Sequence, residues 1–325
     1  MAVRLGFIGT GGIAGIHFSN FGQIPAAEVV AVFDAVPAAA DRAAARFSHC
    51  TVYSTANDLI NDASIDAVYI CVPPFAHEDY EIRVAERGLP MLVEKPVGLD
   101  LTDARRAVDI IQRSGILNAA GYHWRYSPLV ERAREMLADQ RIALAEAVWL
   151  GGLPGSRWWR TQAMSGGQVV EQTTHMIDLL RYFLGEVKSV YAGDFRGLNQ
   201  DVEGYDISDA SSATVRFANG GVATILSSDL VPGYDTYTKL FCKSRTFEIR
   251  ANSLRVVESG HVEEFTWRPV PYSHLPEDQA FIRAVENRDQ SLIRSTFADA
   301  VKTLEVSLAI NRSIDEGDVI HLPIE

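Results

Sequence analysis

Apolar and polar positions follow two regimes along this chain, and the change falls near residue 122. In the first regime, short and nearly unbroken apolar runs recur. They are Ala2–Ile8 (AVRLGFI), Val29–Phe33 (VVAVF), Ala67–Val72 (AVYICV), Met91–Val93 (MLV) and Ile116–Ala120 (ILNAA), with a shorter one at Thr51–Tyr53. Runs of this kind are the form of strands buried on both faces of a parallel sheet. Between them the pattern predicts helices around Ala38–Phe47, Thr55–Asn61 and Asp103–Ser114, and another beyond His77. Strands alternating with helices predict an α/β domain with a doubly wound parallel sheet of the Rossmann type. Its ligand crevice is expected at the carboxyl ends of the strands.

From Tyr126 onward the period changes. A helix is predicted at Leu129–Ala138, a strand at Leu144–Leu150, and a helix running from Ser165 to a stop at Gly185. On a 3.6-residue period Val169, Thr173, Met176, Leu180 and Phe183 form its core stripe, while Glu171, His175, Asp178 and Tyr182 form a second stripe. Strand-like segments follow near residues 187–192, 210–217, 222–227, 238–241, 246–250, 253–257 and 262–266. Asn219-Gly220-Gly221, Arg250-Ala251-Asn252 and Ser259-Gly260 separate several of them with hairpin chemistry. This half reads as an α+β domain with a large, mostly antiparallel sheet. Two late helices, around Glu277–Asn287 and Phe297–Ile314, are expected on its inner side. The outer face is expected to expose valines and phenylalanines and to pair with another copy of the chain as a homodimer or homotetramer. The division predicted is 1–122 for a dinucleotide domain and 123–325 for a substrate-binding and oligomerisation domain.

Composition narrows the function. A chain of 325 residues suggests two cores, and 47% hydrophobic with 22% charged residues is a soluble globular balance. A net charge of −12 without a basic run argues against nucleic acid and against an anionic membrane surface as partners. Cys50, Cys71 and Cys242 fit neither a disulfide framework nor a zinc pattern, so no metal is expected and a reducing cytoplasm suits them. No secretory segment or membrane span is expected.

The candidate chemistry begins at Gly9-Thr10-Gly11-Gly12-Ile13-Ala14, a G-x-G-x-x-A spacing between a strand and a helix. Gly9 permits the tight turn, Gly11 lets backbone amides approach a pyrophosphate, and Ala14 is small enough for close helix–strand packing. Asp34 ends the second strand, where it is placed to accept from a ribose 2′-hydroxyl or to cap a helix. No arginine immediately follows for a 2′-phosphate, which points to NAD ahead of NADP. Pro73, His77, Glu94, Lys95 and Tyr122 also fall at strand ends. Lys95, held between a buried strand and Pro96, has the chemistry to polarise a carbonyl or relay a proton, or to pair with Glu94. On the later helix, an imidazole at His175 between the carboxylates of Glu171 and Asp178 suits proton exchange with a hydroxyl, or simply a solvated face. Trp158, Trp159 and Arg160 suit a sugar face and an anionic group, or a loop anchored by one indole. His123, Arg125 and Tyr126 carry the same ambiguity.

The glycine loop, Pro73-Pro74-x-x-His77, Glu94-Lys95-Pro96 and Gly121-Tyr122-His123-Trp124-Arg125-Tyr126-Ser127-Pro128 stand in an order that resembles the glucose–fructose oxidoreductase, inositol dehydrogenase and rhizopine-catabolism (Gfo/Idh/MocA) family. The resemblance spans essentially the whole chain and implies a nicotinamide-dependent oxidoreductase acting on a secondary hydroxyl or ketone of a sugar, inositol or sugar acid. It implies cofactor contacts from Gly9, Thr10, Gly11, Gly12, Ile13, Ala14, Asp34, Val72, Pro73, His77, Glu94 and Lys95. It also implies catalysis by Lys95, His175 and Glu171, and substrate contacts from Tyr122, His123, Arg125, Trp158, Trp159, Arg160 and Asp178. Gly166-Gly167, Glu171, His175 and Asp178 match the family helix position by position. Glu171 departs from it by standing where better-known members have aspartate, and Gln172-Thr173 replaces a small residue before the histidine. Relatives that cleave sugars with a retained NAD, and others that bind dinucleotide only to regulate, make a glycosidase and a sensor the alternative expectations.

Overall fold

In the computed structural model, which describes residues 2–269 and 273–324, the apolar runs of the first half become β1 (Val3–Ile8), β2 (Ala27–Phe33), β3 (Thr51–Val52), β4 (Ala67–Ile70), β5 (Met91–Val93) and β6 (Asn118–Ala120). They pair in parallel, in the order β3-β2-β1-β4-β5-β6. Helices α1 (Gly12–Phe21), α2 (Pro37–Ala44), α3 (Ala56–Ile60), α4 (Tyr80–Glu86) and α5 (Leu101–Ser114) link them. Local chemistry sets the ends of α5: Asp100 accepts from the Thr102 and Asp103 amides, and Gly115 at φ +67° stops the helix. Strand order reverses between β1 and β4, so the crevice of this sheet lies at their carboxyl ends.

Two compact units make up the chain. One is Met1–Tyr126 with Pro269–Val301, and the other is Ser127–Arg268 with Lys302–Glu325. A single cut after residue 122 is therefore too simple, because α9 (Leu275–Asn287) belongs with the parallel sheet. Its Phe281, Ile282 and Ala284 lie in one core with Phe7, Phe18, Phe21 and Tyr69. Phe281 meets Tyr69 edge-on at 5.3 Å, and Tyr69 stacks on Phe7 at 4.7 Å. The expectation that this helix covers the antiparallel sheet is thus corrected: an amphipathic stripe says that a helix has a partner but not which core supplies it.

In the second unit, β7 (Leu144–Leu150), β8 (Val187–Phe195), β9 (Ala210–Phe217), β10 (Val222–Ser228), β11 (Asp235–Phe241), β12 (Arg245–Ile249), β13 (Ser253–Glu258), β14 (His261–Thr266) and the short β15 (Ile320–His321) form a sheet in the order β14-β13-β12-β11-β7-β10-β9-β8-β15. Every pairing is antiparallel except β7 with β10. The remaining helices are α6 (Pro128–Leu137), α7 (Gln162–Ser165), α8 (Thr174–Leu184) and α10 (Phe297–Glu316), and the division between the units falls inside α10. Alternate residues such as Ala145, Ala147, Val215, Phe217, Leu240, Phe247 and Ile249 are buried on the inner face, where α8 packs on β7, β10 and β11.

The outer face is more polar than expected. Leu144, Tyr191, Phe195 and Val262 are exposed, but Glu146, Tyr237, Lys239, Glu248 and Arg250 form a lattice beside them. The valines and phenylalanines Val190, Val215 and Phe217 point inward instead, as their burial shows. No described helix is long and apolar enough to cross a membrane.

Candidate active site

The glycine loop leaves β1 at Gly9, whose φ is +88° and where a Cβ would lie 2.4 Å from the Cys71 carbonyl oxygen. Only glycine therefore lets β1 and β4 exit side by side. At Gly11 and Gly12 a Cβ would meet nothing within 4 Å, so the backbone faces open space. No side chain caps α1, and its first turn holds no acid. Its amide N–H groups are thus left for a phosphate, and the residues fit a dinucleotide. Ala14 is fully buried against the core, and Ile13 packs at its edge. The Thr10 amide and hydroxyl both donate to Asp34 Oδ2 at 2.8 Å, and the Val36 amide donates to Oδ1 at 2.8 Å. Asp34 thus ties the loop to the end of β2. It does not cap α2, whose N-cap is Val36.

Val72 and Pro73, half-buried, leave β4 next to Gly9. His77 pairs through Nδ1 with Glu81 one turn later, and its Nε2 is buried with no partner among the described residues.

After β5, Glu94 is buried, its amide donates to the Ile70 carbonyl at 2.9 Å, and its Oε2 accepts from the Lys95 amide at 3.1 Å. Lys95 is half-buried. Gly121 at the end of β6 makes the space, since a Cβ there would lie 2.6 Å from Glu94 Oε1. The partner of Glu94 is not one the sequence indicated. His17, on α1 and fully buried, places Nε2 3.2 Å from Glu94 Oε1 and Nδ1 2.7 Å from Asp278 Oδ1. Asp278, on α9, also accepts from Asn20 Nδ2 at 2.7 Å and the Tyr69 hydroxyl at 3.1 Å. Burial alone would push His17 down, but Asp278 and then Glu94 overcome it and hold the imidazole well above its ordinary value. Burial works against the charged Glu94 too, yet the bond and charge of His17 bring it below the carboxylate norm. His274, without such a bond, is pushed down to about 4 by burial. A histidine on an apolar helix and an acid 261 residues away give no pattern to find; only the folded core pairs them.

In the second unit the uniform helix expected from Ser165 to Leu184 is broken. α7 ends at Gly166, which with Gly167 adopts positive φ (72° and 77°); a π-turn then spans Val169–Thr173 before α8 begins. The β-branched pairs Val169-Val170 and Thr173-Thr174 crowd a regular α-helix, and π-turns concentrate at functional sites. Glu171, His175 and Asp178 are all buried, so the solvated-face reading is excluded. Thr173 Oγ1 and Ser227 Oγ lie 2.7 Å apart, pinning the turn to β10. Asp178 Oδ1 accepts from Thr303 Oγ1 at 3.1 Å, and Thr303 in turn accepts from Arg181 at 2.7 Å. The sequence also hid Trp149, inside β7. Its ring stacks on His175 at 5.5 Å and 23°, Tyr234 meets it edge-on at 6.0 Å, and its Nε1 is buried without a partner among the described residues. Alternation alone marked this residue only as part of a strand.

The remaining candidates are more committed than the sequence suggested. Tyr122 is buried, and His123 lies over His274 at 3.9 Å. Arg125 Nη2 meets Asp299 at 2.6 Å, and Nη1 donates to the Arg294 carbonyl at 2.8 Å. Trp158 and Trp159 are half-buried and stack on each other at 6.0 Å, so the loop is not held by a single buried indole. Arg160 Nε donates to the Pro154 carbonyl at 2.7 Å.

Residues 3–122 match the family described as "Oxidoreductase family, NAD-binding Rossmann fold", and residues 130–249 match "GFO/IDH/MocA C-terminal domain". The chain is 31% identical to inositol 2-dehydrogenase of Rhizobium meliloti (strain 1021), over 99% of this chain and 100% of that protein. It is 26% identical to D-xylose 1-dehydrogenase (NADP(+)) 2 of Haloferax volcanii, over 98% of this chain and 100% of that protein. A levoglucosan dehydrogenase solved in complex with NADH and levoglucosan shares the fold, with a TM-score of 0.88 at 20% identity over 99% of this chain and 100% of that one.

Proposed function

The chain belongs to the Gfo/Idh/MocA oxidoreductase family, as an NAD(P)-dependent dehydrogenase of sugar or inositol hydroxyls, and on that premise we propose how its residues divide the work. The first unit takes the dinucleotide: Gly9–Ala14 cradle the pyrophosphate, Asp34 faces the adenosine ribose, and Val72, Pro73, His77 and Glu94 line the remainder. Asp34 carries a negative charge to the end of β2, where a 2′-phosphate would be repelled, and this favours NAD over NADP. Bound NAD supplies the hydride acceptor, or in reduced form the donor. The protein's own task is the proton and the oxygen. His175 takes the hydroxyl proton in the oxidative direction, and Lys95 polarises a substrate oxygen. Glu171 orients one of these two. Asp178, bonded to Thr303, braces the helix.

The observation that carries this reading is the burial of Glu171, His175 and Asp178 along a helix that opens with a π-turn. Desolvating two carboxylates and an imidazole on one helix costs free energy, and a role in proton transfer accounts for that cost. Tyr122, His123, Arg125, Trp158, Trp159 and Arg160 contribute to substrate selection, and the ring of a sugar or inositol suits the two indoles. Two further elements of the reading follow from the surface and the thiols. The outer face of the nine-stranded sheet, with exposed Leu144, Tyr191 and Phe195, pairs copies into a dimer or tetramer. Three free cysteines suit a reducing cytoplasm.

A panel of inositols, aldoses and uronic acids, followed at 340 nm with NAD and with NADP, tests the activity. The expected result is reduced cofactor accumulating with at least one polyol or sugar, faster with NAD. No reduced cofactor with any member of the panel would overturn it, as would release of free sugar from aryl glycosides added to the panel without net reduction.

A further inference from the structure

His17 has both ring nitrogens opposite carboxylate oxygens, Nδ1 at 2.7 Å from Asp278 and Nε2 at 3.2 Å from Glu94. A neutral imidazole has one N–H and would turn a lone pair toward one of those oxygens, so with both carboxylates ionised this arrangement has both nitrogens donating. The two carboxylates do not depend on it equally. Asp278 keeps donors from Asn20 and Tyr69 when His17 is taken away, whereas Glu94 keeps only the Lys95 amide among the described residues. Other charged or titratable groups around this cluster are His274, the residue before α9, Glu277 on α9, Cys71 after β4, and Lys95 itself. Glu94 is in turn rigidly seated: its amide is tied to β4 through Ile70, and Gly121 leaves room for nothing larger.

We propose that His17 is a positioning residue for the dehydrogenase reaction. Clamped between Asp278 and Glu94, it neutralises and fixes Glu94 so that the Glu94-Lys95 turn holds Lys95 in its working orientation. His17 lies on α1, two turns past the glycine loop, so its removal is expected to act on the lysine turn and to leave the loop itself in place. The inference rests on the role given to Lys95 above and adds to it a residue that the sequence analysis did not single out.

The test uses the full-length enzyme and four variants, His17→Gln, Glu94→Gln, the double variant and Lys95→Met, with kcat, KM and NADH affinity measured for each. His17→Gln is expected to lower kcat at least about tenfold while leaving the NADH dissociation constant within about threefold. In the Glu94→Gln background the further change His17→Gln is expected to cost less than about threefold in kcat, because glutamine at position 94 needs no cation, whereas a packing role for His17 would cost as much there as in the wild type. A His17→Gln cost of the same size in both backgrounds overturns the proposal, as does a His17→Gln enzyme with wild-type kcat. Lys95→Met at full rate overturns this proposal together with the role of Lys95. Lys95→Met inactive beside a normal His17→Gln overturns this proposal alone. Should His17→Gln fail to fold, nitrogen-15 histidine NMR of the wild type and Glu94→Gln decides. The expected result is an imidazole protonated on both nitrogens at pH 8 whose resonances move in Glu94→Gln. No doubly protonated imidazole, or one indifferent to Glu94→Gln, overturns it.

Discussion

Asp229, the residue after β10, turns a detail of burial into a pH dependence of stability. Among the described residues its Oδ1 is buried without a partner, and its Oδ2 has only the Tyr205 hydroxyl, at 3.4 Å. Burial, with the nearby Asp209 adding to it against the Tyr205 bond, raises the carboxyl from 3.8 to about 7. An acid with a raised folded pKa is protonated in the native state while the unfolded chain has already ionised. Between pH 4 and 7 the unfolded state therefore binds fewer protons, and stability falls as pH rises, levelling off above 7. A shift of about three units at 1.36 kcal/mol each sets an upper limit of about 4 kcal/mol. Asp229→Asn removes the titration while preserving shape and the bond from Tyr205. Chemical denaturation of both proteins from pH 4.5 to 8.5 should show near-equal stability at the acid end. The variant should then gain up to about 1.4 kcal/mol per pH unit, to a constant advantage above pH 7.5. Parallel curves over the whole range would refute the reasoning.

Two further outcomes follow from the site. Gly9→Ala places a methyl against the Cys71 carbonyl at a φ that L-residues avoid. A loss of at least about 2 kcal/mol is expected, read as a fall in Tm of roughly 4–8 °C, together with weaker NADH binding; unchanged Tm and affinity would contradict the tight-turn account. Trp149→Ala removes the ring stacked on His175, and since such pairs contribute about 0.5–1.5 kcal/mol, kcat should fall by up to about tenfold with NADH affinity unchanged. Trp149→Phe should retain most of the activity. An alanine variant as fast as the wild type would show that the stack does not position the imidazole.

Much of the fold is written in short-range pattern. The strands at Met91–Val93, Leu144–Leu150 and Ala210–Phe217 lie where alternation or apolar runs end at turn residues, and their observed bounds coincide with those read from the sequence. The glycine loop is legible because its spacing is dictated by the backbone rather than by tertiary contacts. What escaped was set by long-range pairing. The stripe on α9 could not name its sheet, and the two-residue β15 pairs with β8 across more than a hundred residues. The π-turn at Val169–Thr173 breaks the very periodicity by which a helix is recognised. At the site, Glu94 was visible as half of a motif, but its counter-charge on His17 was not, since the two are 77 residues apart and a lone histidine carries no period. The tie between Thr10 and Asp34 was hidden similarly, behind the more familiar role of an acid at the end of β2.

Removing the imidazole at position 175 addresses the central assignment directly. His175→Asn, assayed with the best substrate from the polyol and sugar panel, is expected to bind NADH within about threefold of the wild type and to turn over about 10²–10⁴ times more slowly. Undiminished turnover with normal cofactor binding would contradict it and leave proton transfer to another group.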